Sequence, residues 1–389
     1  MFLFCNLDNI NDELPVCCDY FSDVELDNVL RKLKSGKASG ADDIPPDFWK
    51  VLRNDSTAST ELLKLCNHCL SDRSIPEFWK VAKIVLLFKK GDSIFPQNYR
   101  PISLLPVGYK ILAALIHQRL IAGGVDDKIT MSQFGFRPRR NCMGALMVVR
   151  RMIDAATEEK EHGLLMIFLD WAKAFDRIRV GGLVSALKRF GLPKLFVDLI
   201  ASIYTNRSFF VQDHFGPSEI YKQETGIAQG CPLSPFLFII VQSVMFHDIY
   251  KRINLNPEPA FVVTRELLYA GDTLLASSSA ENLQILLNAV CEEGLKYGLE
   301  LHWGKTFQMS VCHTGSIHAP NGNEIEKKTN IVYLGGLITS DGKARHEVSR
   351  RLGEGRGVFR SLEKLWSNCN LDWRRKLALF KACVTSKVM

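Results

Sequence analysis

The sequence has no apolar stretch long enough to cross a membrane. Its longest unbroken runs, Phe236 to Val241 among them, are six residues, against the ~20 that a spanning helix needs. The opening MFLFCNLDNINDE has no basic segment ahead of an apolar one and turns acidic at once, so no secretory leader is expected. Internal repeats, low-complexity tracts and long flexible linkers are also missing. Nor is there the dense, even cysteine framework of a small disulfide scaffold: the eleven cysteines are odd in number and spread along the chain. Without a leader they are expected to be reduced thiols, several of them in the core. The 389 residues are 47% hydrophobic and 23% charged, which excludes global disorder and a collagen-like fibre and fits a soluble, non-secreted globular chain.

Cys66-Asn67-His68-Cys69 has the spacing of half a zinc site, with Cys312-His313 as a conceivable second half. A lone CxxC inside an apolar helical pattern, its partner pair more than 200 residues away, is expected to be core thiols and not a metal site. Charge is unevenly placed. Residues 1–30 carry seven acidic side chains and no Lys or Arg, while the chain from Arg345 onward has 11 basic against 4 acidic residues. That imbalance suggests a polyanionic partner, and nucleic acid more readily than a membrane.

Ser22-Asp23-Val24-Glu25 reads as a capping box, followed by a helix that Gly36 stops. A Gly- and Pro-punctuated loop covers 35–46, 47–70 reads as helix, Val81 to Leu87 as a short buried strand, and Gly91 to Leu105 as a loop. Helices are expected over 109–121 and 142–160. The run Leu164 to Leu169 reads as a buried strand that delivers Asp170 at its end. Two helices flank Gly191-Leu192-Pro193, a hairpin-like region spans 208–224, and a strongly apolar helix runs to about Arg252. A tight hairpin is expected around Tyr269-Ala270-Gly271-Asp272, then a helix capped by Ser278 and short strands leading to a basic helical end. The fold class expected is one mixed α/β (α+β) body with a basic helical appendage.

A carboxylate at the mouth of a buried strand is expensive unless it meets solvent or a cation. Four other segments bear on Asp170. KKGDSIFPQNYRPISLLPVGYKIL (89–112) sets two Lys and an Arg around a loop suited to gripping phosphates. QFGFRPRRNC (133–142) interleaves Arg and Phe, as a backbone-and-base contact strip would. GIAQGCPLSPFLF (226–238) puts a Gln-Gly turn before a helix, and ELLYAGDTLLAS (266–277) brings Asp272 to a hairpin tip. In this order the segments resemble the reverse transcriptase domain of non-LTR (LINE-like) retrotransposons, from SGKASGADDIPPDFWK to near Val388.

The resemblance implies a right-hand polymerase with fingers, an antiparallel-sheet palm and a partial helical thumb. Its bounds would be an N-terminal extension and start of the fingers over 1–74, fingers and palm over 75–340, and a basic thumb-like segment over 341–389. It also implies two-metal nucleotidyl transfer from dNTP to a primer 3′-hydroxyl on an RNA template and DNA primer, with Mg²⁺ as cofactor. Asp170 matches the first catalytic carboxylate, with the Trp171 carbonyl as a further ligand, and Asp272 the hairpin acid. Phe175 matches the ring under the incoming sugar. Lys89 or Lys90 with Arg100 match the triphosphate grip, Gln229 and Gly230 the pocket turn, and Lys305 a lysine assisting pyrophosphate departure. YLGGLITSDG (333–342) resembles a primer-gripping hairpin. Arg137, Arg139, Arg140 and Tyr269 are expected to contact nucleic acid. The family location would be nuclear or cytoplasmic.

The match is broken at one position. The family hairpin reads Tyr-x-Asp-Asp, and here Gly271 stands where the first hairpin carboxylate would be. Glycine suits a turn demanding positive φ, so architecture is expected to survive while chemistry suffers. No residues remain for an endonuclease, and the chain stops before a complete thumb, as in a truncated copy or a fragment of a longer reading frame. The readings are an impaired polymerase or, alternatively, a catalytically dead polymerase-fold remnant that binds nucleic acid. A splicing-type maturase fits the 98–105 and 226–238 segments less well.

Overall fold

The computed structural model of the chain describes residues 9–159, 163–367 and 370–389; Cys5, Asp8 and Cys369 lie outside them. Two four-stranded sheets and a two-stranded hairpin are surrounded by helices. The first sheet has the order β2-β1-β4-β5, with β1 Val81–Phe88, β2 Tyr99–Leu104, β4 Arg207–Gln212 and β5 Tyr221–Gln223. The second has the order β6-β7-β3-β8, with β3 Leu164–Asp170, β6 Glu266–Tyr269, β7 Asp272–Ser277 and β8 Phe307–Val311. It is antiparallel throughout. The hairpin pairs β9 Asn330–Tyr333 with β10 Gly336–Thr339.

The hydrophobic run in β3 is continuous because both its faces are covered. Successive strand residues point to opposite sides of a sheet. Leu165, Ile167 and Leu169 join one core with the helices Ser234–Arg252 and Ala280–Tyr297. Leu164, Met166 and Phe168 join a second core with the helix Cys142–Glu159 and with Ile331, Tyr333 and Ile338 of the small hairpin. The Ser234–Arg252 helix is buried nearly all round, which explains an apolar pattern with no polar face.

Several expectations shift. Residues 91–105 are not all loop: Tyr99–Leu104 forms β2, an edge strand on which Pro101 faces Leu86. An edge strand tolerates the missing N–H of proline. β1 is half-exposed toward Phe88 instead of buried. The 47–70 helix is two, Pro46–Leu52 and Ser56–Asp72, the second capped by Asp55. Ser279, not Ser278, caps Ala280–Tyr297, because Glu258 takes the Ser278 hydroxyl and amide. The Ser22–Glu25 capping box is present as read. Cys66 and Cys69 are buried, and burial pushes the Cys69 thiol up to about 11.

Candidate active site

Asp170 ends β3 directly opposite Asp272, the first residue of β7. Facing residues of an antiparallel pair share a sheet face with Cβ atoms about 4.5–5.5 Å apart, so both carboxylates emerge together. The Asp170 carbonyl accepts from the His302 amide at 2.8 Å, which fixes the strand end. Lys305 Nζ lies 2.9 Å from Asp170 Oδ2. The Asp272 carboxyl is raised above the ordinary Asp range, first by withdrawal from water and then by the negative Asp170, with Lys305 opposing. Among the described residues no third His, Cys, Asp or Glu joins this pair as a metal-binding group.

Tyr269 pairs with Asp272 around the two-residue turn Ala270-Gly271. The left-handed backbone falls on Ala270, at φ 55°, and not on Gly271, which corrects the expectation that the glycine serves a positive φ. A type II′ hairpin turn needs positive φ at its first central residue alone. A Cβ built on Gly271 meets nothing within 4 Å, so this position has room for a side chain.

What holds Ala270 there escaped the sequence reading. Gln133 Oε1 accepts from the Ala270 amide at 3.2 Å and from the Gly135 amide at 2.9 Å. Gln242 Nε2 donates to the Ala270 carbonyl at 2.8 Å, and the two glutamines bond each other at 2.9 Å. Both are fully buried. A single glutamine inside the apolar run FLFIIVQSVMF was the available signal, since a buried amide must find partners.

Trp171 is buried, its indole N–H donating to Thr273 Oγ1 at 3.1 Å. Phe175 stacks on Phe238 at 5.0 Å and meets Phe136 edge-on. The loop that carries Gln229 is fastened on two sides. Its Ile227 and Gly226 amides donate to the Phe175 and Ile178 carbonyls at 2.7 Å each, and the Gln229 carbonyl accepts from Ser103 of β2 at 3.3 Å. Gln229 Nε2 donates to both carboxylate oxygens of Asp176. Gly230 has φ 114°, and a Cβ there would sit 2.7 Å from the Ser103 carbonyl, so the close approach requires glycine.

The basic residues divide. Lys89, Lys90 and Arg100 are exposed at the loop end of the β1–β2 pair. Arg137, expected to contact nucleic acid, is instead buried and spent on Asp126 and the carbonyls of Asp126 and Thr130. Arg140 donates to the Met131 carbonyl and lies over the Phe134 ring; Arg139 is exposed.

Residues 88–338 match the family model "Reverse transcriptase (RNA-dependent DNA polymerase)". The chain is 30% identical over 331 residues to the RNA-directed DNA polymerase from mobile element jockey of Drosophila melanogaster, covering 82% of this chain and 35% of that protein. It is 25% identical to the Pol polyprotein of the type-2 retrotransposable element R2DM of the same fly, covering 85% and 31%. Transposon TX1 of Xenopus laevis encodes a 149 kDa protein 26% identical, covering 85% and 25%. The chain thus spans about a third or less of the length of these relatives. Among solved structures, apo telomerase from Candida tropicalis superposes with a TM-score of 0.47 at 14% identity, covering 76% of this chain and 64% of that one.

Proposed function

Because the chain belongs to the reverse transcriptase family, we propose that it is the RNA-directed DNA polymerase domain of a non-LTR retrotransposon, impaired by the loss of one metal-binding carboxylate. The observation that carries this reading is the facing of Asp170 and Asp272 across β3 and β7, with Lys305 against the first and Gly271 where a third acid would stand. Residues 75–340 would be fingers and palm and 341–389 part of a thumb.

Two hard carboxylates suit Mg²⁺, which uses few protein ligands and fills its shell with phosphate and water oxygens. Asp170 and Asp272 would hold it, and bound metal supplies activation of the primer hydroxyl and neutralisation of the leaving pyrophosphate. Lys305, already paired with Asp170, would be the cation nearest the departing phosphates. Phe175, set in place by Phe238, would underlie the sugar, and Arg100 with Lys89 or Lys90 would take the triphosphate. Arg139, the Arg140 edge, Tyr269 and the basic 345–389 segment would meet the RNA template and DNA primer. Among the described residues no helix is long and apolar enough to cross a membrane.

A second reading, a fold that binds nucleic acid without chemistry, is favoured by the two-acid count alone. Primer extension separates the two. Losing a key electrostatic group costs ~10²–10³ in rate, so the chain should extend a primer near background and Gly271→Asp should restore dNTP incorporation by about that factor. Asp170→Ala should abolish the rescue. Equal activity with and without Gly271→Asp would sink the reading of Gly271 as a lost ligand.

A further inference from the structure

Among the described residues four arginines are buried to 9% exposure or less: Arg119, Arg137, Arg189 and Arg207. Three have a carboxylate at hydrogen-bond distance. Arg119 meets Glu25, Arg137 meets Asp126, and Arg189 grips Asp248 through both terminal nitrogens. Arg207, 3% exposed, has neither a carboxylate partner nor any side-chain hydrogen bond among the described residues, and its buried Nη1 has no acceptor. The Tyr204 ring lies 5.5 Å from the guanidinium. A cation–π contact of this kind returns a small part of what an ion loses on leaving water.

Arg207 also lines a cavity of about 790 Å³ between the start of the Val180–Phe190 helix, the end of the Lys194–Tyr204 helix and the β4–β5 pair. Thr205, Asn206, Ser208 and Gln223 contribute to its wall. Lys222 stands exposed at the rim, with Glu224 as the opposing charge. Ser208 faces Lys222, and Arg207 faces Gln223, across the ladder. None of these residues belongs to the Asp170–Asp272 site.

A buried guanidinium without an acceptor carries a free-energy cost that an incoming acceptor would relieve. We propose that this cavity is an anion site in which Arg207, with Lys222 at the rim, receives a phosphate group. The planar fork of an arginine fits phosphate oxygens with paired hydrogen bonds. The phosphate is either a link of a single-stranded nucleic acid running past the β4–β5 pair or a free phosphate ester. The proposal does not depend on catalytic competence at the hairpin.

The test is thermal unfolding of the full chain with and without inorganic phosphate, together with binding of a labelled single-stranded RNA. Phosphate bound to the folded state should raise the melting temperature of the unmodified chain with rising concentration, and Arg207→Met should abolish that response. Replacing a buried ion that has no partner by an apolar side chain should not destabilise, so in phosphate-free buffer Arg207→Met should melt at or above the parent. Two surface variants keep the test independent of folding. Lys222→Glu should weaken the phosphate response, and Glu224→Gln should strengthen it by a few-fold, about the size of an exposed charge contact. If the phosphate belongs to a strand, Arg207→Met should flatten the log K against log salt slope for RNA by about 0.7. If it is a free ester, the slope should stay and the inorganic phosphate response alone should vanish. A phosphate response identical in all four proteins, together with an RNA salt slope unchanged by Arg207→Met, would overturn the assignment and leave Arg207 as a packing residue over Tyr204.

Discussion

The amide of Gln229 donates to both carboxylate oxygens of Asp176, each at 3.1 Å, so the turn before the Ser234–Arg252 helix is tied to the segment that follows β3. Burial raises the Asp176 carboxyl above the ordinary Asp range while Gln229 and Lys173 pull the other way. The charged form is therefore held in place chiefly by that amide.

Burial of the carboxylate outweighs the Gln229 bond in the ionised form, so Asp176→Ala should change stability at neutral pH by no more than about 1 kcal/mol, the lost acceptor of the amide being offset by the relieved desolvation. Gln229→Ala in the same background should add little, because the two side chains share one interaction. Chemical denaturation of the two single variants and the double variant measures the coupling. Fully additive effects would show that the pair does not act as a unit.

Asp272 gives a pH dependence of opposite sign to the usual carboxylate. Its folded-state pKa is raised by burial and by Asp170, so the folded chain holds this proton to higher pH than the unfolded one does. Its contribution is present below the unfolded value, ~3.9, and is lost as pH rises through the raised value. Asp272→Asn should then raise the melting temperature at neutral pH and make little difference in acid. A loss of stability at neutral pH would mean that the attraction of Lys305 outweighs both.

Glu25 behaves in the ordinary direction. Arg119 beside it holds its carboxyl down to about 2, and Arg119 also binds the carbonyls of Cys17 and Tyr20. Its stabilisation is present above the unfolded value near 4.5 and disappears as pH falls toward about 2. Glu25→Gln should cost about 3 kcal/mol at neutral pH by leaving a buried guanidinium without its counter-charge. Melting curves of the two proteins should converge in that acid window.

Phe175 is clasped between the Phe238 face and the Phe136 edge. In a Gly271→Asp background, Phe175→Ala should narrow the preference for dNTP over rNTP. Competition between the two nucleotides in primer extension reads that ratio directly, and an unchanged ratio would remove Phe175 from under the sugar.

Much of the site was legible because its signals are local. A six-residue apolar run ending in an acid can be read as β3 and Asp170, and the hairpin declares itself through Tyr269-Ala270-Gly271-Asp272. Less legible were features settled at a distance. Tyr99–Leu104 looks like loop because Pro101 and Arg100 interrupt it, and it becomes a strand because β1 offers an edge. Arg137 looks like a nucleic-acid contact until Asp126 folds against it. The φ of Ala270 depends on Gln133 and Gln242, one from a loop and one from a helix more than 100 residues on, and no turn rule contains that information.

β3 is a party wall. Its odd-numbered residues are furnished by one core and its even-numbered residues by the other, so Asp170 has two landlords. Erosion in the Cys142–Glu159 helix, for example at Met152, reaches that carboxylate through Met166 and Phe168. Erosion in the Ser234–Arg252 helix, at Ile240, reaches it through Ile167 and Leu169. Neither tenancy can lapse quietly. A chain drifting free of selection should keep the outline of its sheets for some time, yet lose the alignment of Asp170 with Asp272 after damage on either side.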